Sequence, residues 1–308
     1  MIKLLDSHLY DSGASDPLRH LIMYIARAAK YIDHAIETED TSMAGTSNAS
    51  GEDQLALDVL SDKVIEENLR VCRLVAAVAS EEKEGVMKCE CDEKEWRGKF
   101  SVAYDPLDGS SLLDANFAIG SIFSIFKGEG FVGKTGRDQV AALYIIYGPQ
   151  TMLVYSIGKG VHCFTLNDVG EFTLEKENLT IGETAKHFAP GNLRSASSNP
   201  KYKELVNHWM DEGYTLRYSG GMVPDIHHML SKGGGIFTYP AHAPKYPKGK
   251  LRLLFECNPF AYLIENAGGA ASDGEQSILD IKIEEIHQRT PIFVGSKGEV
   301  EKVVEGMR

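Results

Sequence analysis

The stretch FSVAYDPLDGSSLLD, residues 100–114, ends a strand-like run with two aspartates three positions apart, Asp105 and Asp108, followed by Gly109-Ser110-Ser111. A turn needs one Asp and one Gly at most. Taken alone, Asp105-Pro106 and Asp108-Gly109 read equally well as a strand end and a turn. The other carboxylates shift the balance. Glu81 and Glu82 close another strand-like run side by side, which is costly unless a cation sits there. Glu52, Asp53 and Asp58 flank a helix start, and Glu256 follows the apolar run LRLLFE, where a lone buried carboxylate would be expensive. Hard oxygen donors with no histidine or cysteine among them suit Mg²⁺ or Mn²⁺ rather than zinc. More than three of them suit two or more ions. Gly109, Ser110 and Ser111 offer backbone N–H groups at a helix start, a cradle for phosphate. Cations beside such a cradle point to phosphoryl chemistry. Ser110 is not the preferred nucleophile, because no histidine stands near it in sequence and an activated water serves better.

The surrounding elements must bring these residues together. Asp16-Pro17 opens a helix in which Leu18, Leu21, Ile22, Ile25, Ala29, Ile32 and Ile36 recur at three and four. The polar stretch TEDTSMAGTSNASGEDQ reads as a mobile loop, and a second amphipathic helix runs from about Leu55 to Leu69. CRLVAAVAS is a buried-strand run, followed by a charged surface excursion. Short runs from GSIFSIFKG to EFTLEKENLTI fit a mostly antiparallel sheet. Beyond GETAKHFAPGNLR, strand and helix signals alternate in α/β fashion. A boundary near residue 190 divides the chain into 1–190, with the helices, the mostly antiparallel sheet and the metal-site loops, and 191–308, an α/β part. A chain of 308 residues is long enough for both.

Net charge is −12, from 32 basic and 44 acidic residues, which argues against general nucleic-acid binding. No apolar run reaches membrane-spanning length. The N-terminal residues lack a signal-peptide core and carry acids unlike a transit peptide, so a cytoplasmic protein is expected, or the mature form of a plastid one. The five cysteines, an odd number, fit no zinc spacing and read as reduced thiols; a redox role for Cys89 and Cys91 is the lesser reading.

DPLDGSS with an upstream Glu-Glu and a downstream LRLLFE…AYLIENAGG resembles the Mg²⁺-dependent, lithium-sensitive sugar-phosphatase superfamily. Within it, the chain resembles the class I fructose-1,6-bisphosphatase and sedoheptulose-1,7-bisphosphatase branch, from about Gly51 to the C-terminus. The resemblance implies a layered αβαβα fold of the α/β (α+β) class with two mixed sheets. It implies that Glu81, Glu82, Asp105, Asp108 and Glu256 supply the metal ligands and the water-activating carboxylate, with the Leu107 carbonyl as a backbone ligand. Two or three Mg²⁺ per subunit are expected, with Mn²⁺ able to substitute. Glu52 takes the register of a further ligand, with Asp53 as its alternative. Asp58 and Glu82 match the pair that deprotonates water, and Arg252 matches a phosphate-contacting arginine. Asn199, Tyr202, Arg217, Tyr218, Met222, Tyr239 and Lys250 match the pocket for the sugar and its distal phosphate. Arg217 would reach in from a neighbouring subunit of a homodimer or homotetramer.

The branch within the family reads as mixed. APGNLR and YTLRYSGGMVPD look like sedoheptulose bisphosphatases, whereas IFTYP, ECNPFAY and EIHQRTP look more like fructose bisphosphatases. The expectation is removal of the 1-phosphate of a ketose bisphosphate, preferably sedoheptulose 1,7-bisphosphate. A fructose-1,6-bisphosphatase or dual-specificity enzyme is the alternative. An inositol- or nucleotide-type monophosphatase would not need Arg217, Tyr218, Tyr239 and Lys250 in that register. The complete carboxylate set argues against a non-catalytic relative. The Lys-Tyr pair of AMP-inhibited relatives stands here as Lys99-Phe100, so no AMP switch is expected.

Overall fold

The computed structural model describes residues 2–38, 43–48, 53–89 and 99–307. Two helices open the chain, α1 (Leu5–Asp11) and α2 (Asp16–Thr38). The three–four spacing in α2 does its work: Leu18, Leu21, Ile22, Ile25, Ala29 and Ile32 are all buried on one face. Where the polar stretch reads as a loop, the described residues instead form two short antiparallel strands, β1 (Met43–Ser47) and β2 (Asp53–Leu55). Their partner is each other, and neither carries the apolar alternation that marks a half-buried strand. The second strand runs straight into α3 (Ala56–Val71), where the Leu55 N–H donates to Asp58 at 2.9 Å.

Eight strands follow as one sheet: β3 (Val75–Ser80), β4 (Val86–Lys88), β5 (Phe100–Asp108), β6 (Ile119–Lys127), β7 (Gln139–Tyr147), β8 (Met152–Ser156), β9 (His162–Leu166) and β10 (Phe172–Lys176). Their order is β10-β9-β8-β7-β6-β5-β3-β4. Every neighbouring pair is antiparallel except β3 and β5, which run parallel with Ser80 opposite Tyr104. That one pair decides where the site lies. Two parallel strands end at the same edge, so the Glu81-Glu82 corner and Asp105 emerge side by side.

The second sheet holds β11 (His187–Pro190), then β12 (Thr215–Leu216) after helix α4 (Pro200–Asp211), and β13 (Ile236–Tyr239) after α5 (Met222–Lys232). Helix α6 (Asn258–Asn266), β14 (Ala270–Ser272), β15 (Ile292–Gly295) and α7 (Lys297–Met307) complete it, in the order β12-β11-β13-β15-β14. β11 runs parallel to β12 and β13, and β15 antiparallel to β13 and β14, so this sheet too is mixed. Residues 187–190 therefore belong with the second sheet.

Alternating residues assign the layers. Val78, Val102, Tyr104 and Phe123 face α1, α2 and α3, whereas Ala79, Ala103, Ile122 and Tyr144 face α5 and α6. Ala189, Phe237, Ile292 and Val294 of the second sheet close that middle core, and Phe188, Ile236 and Phe293 face α4 and α7. The result is an αβαβα stack, a layered α/β fold with two mixed sheets. No helix among the described residues is long and apolar enough to cross a membrane.

Candidate active site

Asp105 and Asp108 are three apart on β5, an odd separation that would point them to opposite faces of a regular strand. The pairing slips between them: Asp105 faces Ile122 and Asp108 faces Gly120, so one extra residue bulges out on β5. The bulge returns both carboxylates to one side. It is held by the Leu107 N–H donating to Asp105 at 3.0 Å and the Ser121 hydroxyl donating to the Pro106 carbonyl at 2.7 Å. Glu256 joins them from a wide turn, Leu253–Cys257, that leads into α6, and the Arg252 N–H donates to its carboxylate at 2.6 Å. One oxygen each from Asp105, Asp108 and Glu256 lies within 4.8 Å of the others.

Asp58, Glu81 and Glu82 complete the floor of the same cavity, of about 340 Å³. Asp58, Glu81, Asp105 and Glu256 are buried. The Arg252 guanidinium, also buried, pairs with Glu81, and the Gln54 amide donates to Glu82. Asp108 accepts the Val223 N–H from the first turn of α5 at 2.7 Å.

Six carboxyls so close together cannot all ionise cheaply. Burial pushes Asp58 up to about 6, with the Glu81 charge adding and the Leu55 N–H and Ser110 hydroxyl opposing. Burial lifts Asp108 to about 7, with Glu256 and Asp225 adding to it. Asp105, Glu82 and Glu256 are likewise raised, burial first in each case. Such an arrangement costs stability unless cations neutralise it, and an all-oxygen donor set of this density fits Mg²⁺ or Mn²⁺.

The remaining expected residues divide. Leu107, Gly109, Ser110, Ser111, Tyr218, Met222, Tyr239, Lys250 and Arg252 line the cavity with the carboxylates. Gly109 adopts φ +80°, a conformation that favours glycine, and caps a short 3₁₀ helix, Ser110–Ala115, so the helix start expected here is present in its tighter form. Three residues do not reach the wall. Asn199 caps α4, accepting the Tyr202 N–H at 3.1 Å. Tyr202 is fully buried, its hydroxyl spent on Thr238 at 2.8 Å. Arg217 is exposed and borders a separate recess with His187, Asp225 and His228. Glu52 lies outside the described residues, as does the side chain of Asp53. Cys91 also lies outside them. Cys72 is buried and pushed up to about 11, and Cys89 is raised too, by burial, so neither is thiolate-prone.

Sequence reasoning missed Asn48, Gln54, Gly220, Gly221, Phe237 and Leu251, which also line the cavity. Gln54 and Asn48 carry no spacing signal. The Gly220-Gly221 pair did carry one, a close approach just before a helix. Asp225, buried in the first turn of α5, was missed too; it accepts the Ser219 N–H at 2.7 Å and so fixes that glycine loop.

Comparison with known proteins shows the family. Residues 3–177 match the family described as Fructose-1-6-bisphosphatase, N-terminal domain, and residues 181–308 match its C-terminal domain. The chain is 51% identical to a class 1 fructose-1,6-bisphosphatase of Geobacter sulfurreducens, covering 98% of this chain and 95% of that relative. It is 42% identical to the chloroplastic sedoheptulose-1,7-bisphosphatase of Triticum aestivum, covering 96% of this chain and 74% of that relative. Among solved structures, the Leishmania major fructose-1,6-bisphosphatase in holo form superposes with a TM-score of 0.92 at 32% identity, covering 99% of each chain. Full-length matches of this kind, over a fold whose strand ends gather the carboxylates expected of the family, place the chain among the phosphoric monoester hydrolases of the fructose-1,6-bisphosphatase and sedoheptulose-1,7-bisphosphatase family.

Proposed function

We propose that the chain hydrolyses the 1-phosphate of fructose 1,6-bisphosphate in a Mg²⁺- or Mn²⁺-dependent reaction. The observation that carries the reaction class is the convergence of six carboxyls and the Gly109–Ser111 turn in one cavity. The choice of sugar rests on the relatives. Bacterial ones named class 1 fructose-1,6-bisphosphatase stand at 48–51% identity, and the plastid sedoheptulose enzyme stands further off. The seven-carbon preference drawn from residues 189–225 thus becomes the second reading. It is kept because Tyr218 and Met222, from that stretch, line the cavity beside Tyr239.

Phosphate-monoester hydrolysis is among the slowest uncatalysed reactions, needing gains up to ~10²¹. Two or three bound Mg²⁺ supply neutralisation of the phosphate and a lowered pKa for the attacking water. Glu81, Glu82, Asp105, Asp108, Glu256 and the Leu107 carbonyl hold them, with Glu52 or Asp53 as a further donor. Asp58 and Glu82 take the water's proton. Backbone N–H groups at Gly109, Ser110 and Ser111, together with Arg252, orient the nonbridging oxygens. Lys250, Tyr218, Met222 and Tyr239 grip the sugar and its distal phosphate, so that remote binding energy positions the reacting one. Asn199 and Tyr202 support this wall from behind, through Thr238. Arg217 acts across the interface of a homodimer or homotetramer in the cytoplasm.

The test is kcat/KM for fructose 1,6-bisphosphate and sedoheptulose 1,7-bisphosphate on one preparation. One added hydroxymethylene unit in a tolerant pocket is worth roughly 10–200-fold at most. Both sugars should therefore turn over, with fructose ahead. A sedoheptulose value ahead by about tenfold, at the low end of that range, would reverse the assignment. Sedimentation of the same preparation checks the shared site: a strict monomer that saturates normally would remove the role of Arg217.

A further inference from the structure

Asp62 stands one helical turn after Asp58 on α3 and is buried, yet it lines no part of the cavity. Three donors from three other positions converge on it. The Ser80 hydroxyl donates at 2.5 Å, the Tyr104 hydroxyl at 2.8 Å and the Lys83 ammonium at 2.9 Å. Each donor adjoins a proposed ligand. Ser80 precedes Glu81 and accepts the Glu82 N–H at 3.2 Å on its own hydroxyl oxygen. Tyr104 precedes Asp105, and its carbonyl accepts the Glu81 N–H at 3.0 Å. Lys83 follows Glu82 and also pairs with Glu66.

From this geometry we infer that Asp62 is a positioning residue for the metal-binding carboxylates, tying α3, the end of β3 and β5 together one step behind them. The inference rests on the metal-dependent reading above. The chemistry requires a carboxylate. An ionised Asp only accepts and offers about four lone-pair sites, whereas an Asn of the same shape offers one acceptor oxygen and an NH₂ that would face the Lys83 ammonium. Three donors on one buried acceptor fix its rotamer, and through the Ser80 hydroxyl they fix the direction of the Glu82 N–H. A ligand-bearing corner held this way keeps its oxygens spaced for a cation when the cation is absent. A buried carboxylate serving only the fold would have no cause to collect donors from both strand ends that carry the ligands.

The test is Asp62→Asn, with Ser80→Ala and Tyr104→Phe as single-donor deletions. Mn²⁺ binding is read by calorimetry without substrate, and kcat and KM for fructose 1,6-bisphosphate at saturating Mg²⁺. Removing a group that orients a ligand costs about 10–100-fold in metal affinity or activity. Asp62→Asn should therefore weaken Mn²⁺ binding and lower kcat by about that factor, with KM within about twofold. Ser80→Ala should weaken Mn²⁺ binding several-fold, and it carries the test if Asp62→Asn does not fold. A purely structural role lowers the melting temperature and leaves Mn²⁺ affinity at the wild-type value; that result in a folded Asp62→Asn or Ser80→Ala overturns the inference. Wild-type protein that binds no Mn²⁺ overturns the metal reading as well, whereas wild type that binds and variants that bind equally overturn only the role of Asp62.

Discussion

Asp108 has three neighbours that pull in different directions. Glu256 and Asp105 crowd its carboxylate, and the Val223 N–H stabilises it. Asp108→Asn keeps an oxygen for Val223 and removes the charge. Phosphate release should fall by more than ~100-fold, beyond the usual cost of losing a group that only orients a ligand. The metal-free variant should melt at or above the wild-type temperature at pH 8, because a carboxyl raised to about 7 burdens the fold once ionised. Rates near wild type would show that the Asp-x-x-Asp pair is only a turn. The carboxylates were readable in the sequence because an acid at the end of an apolar run is costly to bury without a cation or a donor to meet it. The place of Tyr202 was not, because its hydroxyl answers to Thr238, 36 positions away.

At the scale of elements, the site depends on where strand ends meet helix starts. The α2 and α3 patterns were readable because their apolar faces pack on the sheet with a simple period. The wide turn at Leu253–Cys257 was not: its apolar run looks like a strand, and only contact with the sheet around Leu254 decides otherwise. The bulge at Pro106-Leu107 is likewise set by pairing with β6. That pairing brings Gly120 against α5, where a Cβ would overlap the Ile145 carbonyl and the Val223 side chain. Gly120→Ala should thus push away the helix start that donates to Asp108. Overpacking of this kind costs about 1–3 kcal/mol. The melting temperature should fall and half-saturating Mg²⁺ should rise, both measured on one preparation. Wild-type values for both would mean that α5 does not support the site.

Across the whole molecule, an acidic chain has gathered six carboxyls in one cavity and needs cations to offset them. The sign of the pH dependence follows. Asp58 and Asp108 ordinarily titrate near 3.8 and rise in the folded chain to about 6 and 7. Their protonated forms favour the fold, so this contribution is complete below pH 3.8 and is lost as pH rises through 6 and 7. Bound Mg²⁺ replaces those protons. The rise in melting temperature on adding Mg²⁺ to chelated protein should therefore be larger at pH 8 than at pH 5.5. A larger rise at pH 5.5 would contradict the assignment of these carboxyls to a cation site.

The most direct measurement is phosphate release from fructose 1,6-bisphosphate by exhaustively chelated protein, before and after Mg²⁺ is returned. Without cations the six carboxyls meet the phosphate with like charge and the attacking water keeps its ordinary high pKa, so release should drop to background and recover with the metal. Full activity in the chelated protein would contradict the central claim that this cavity works as a metal-dependent phosphatase.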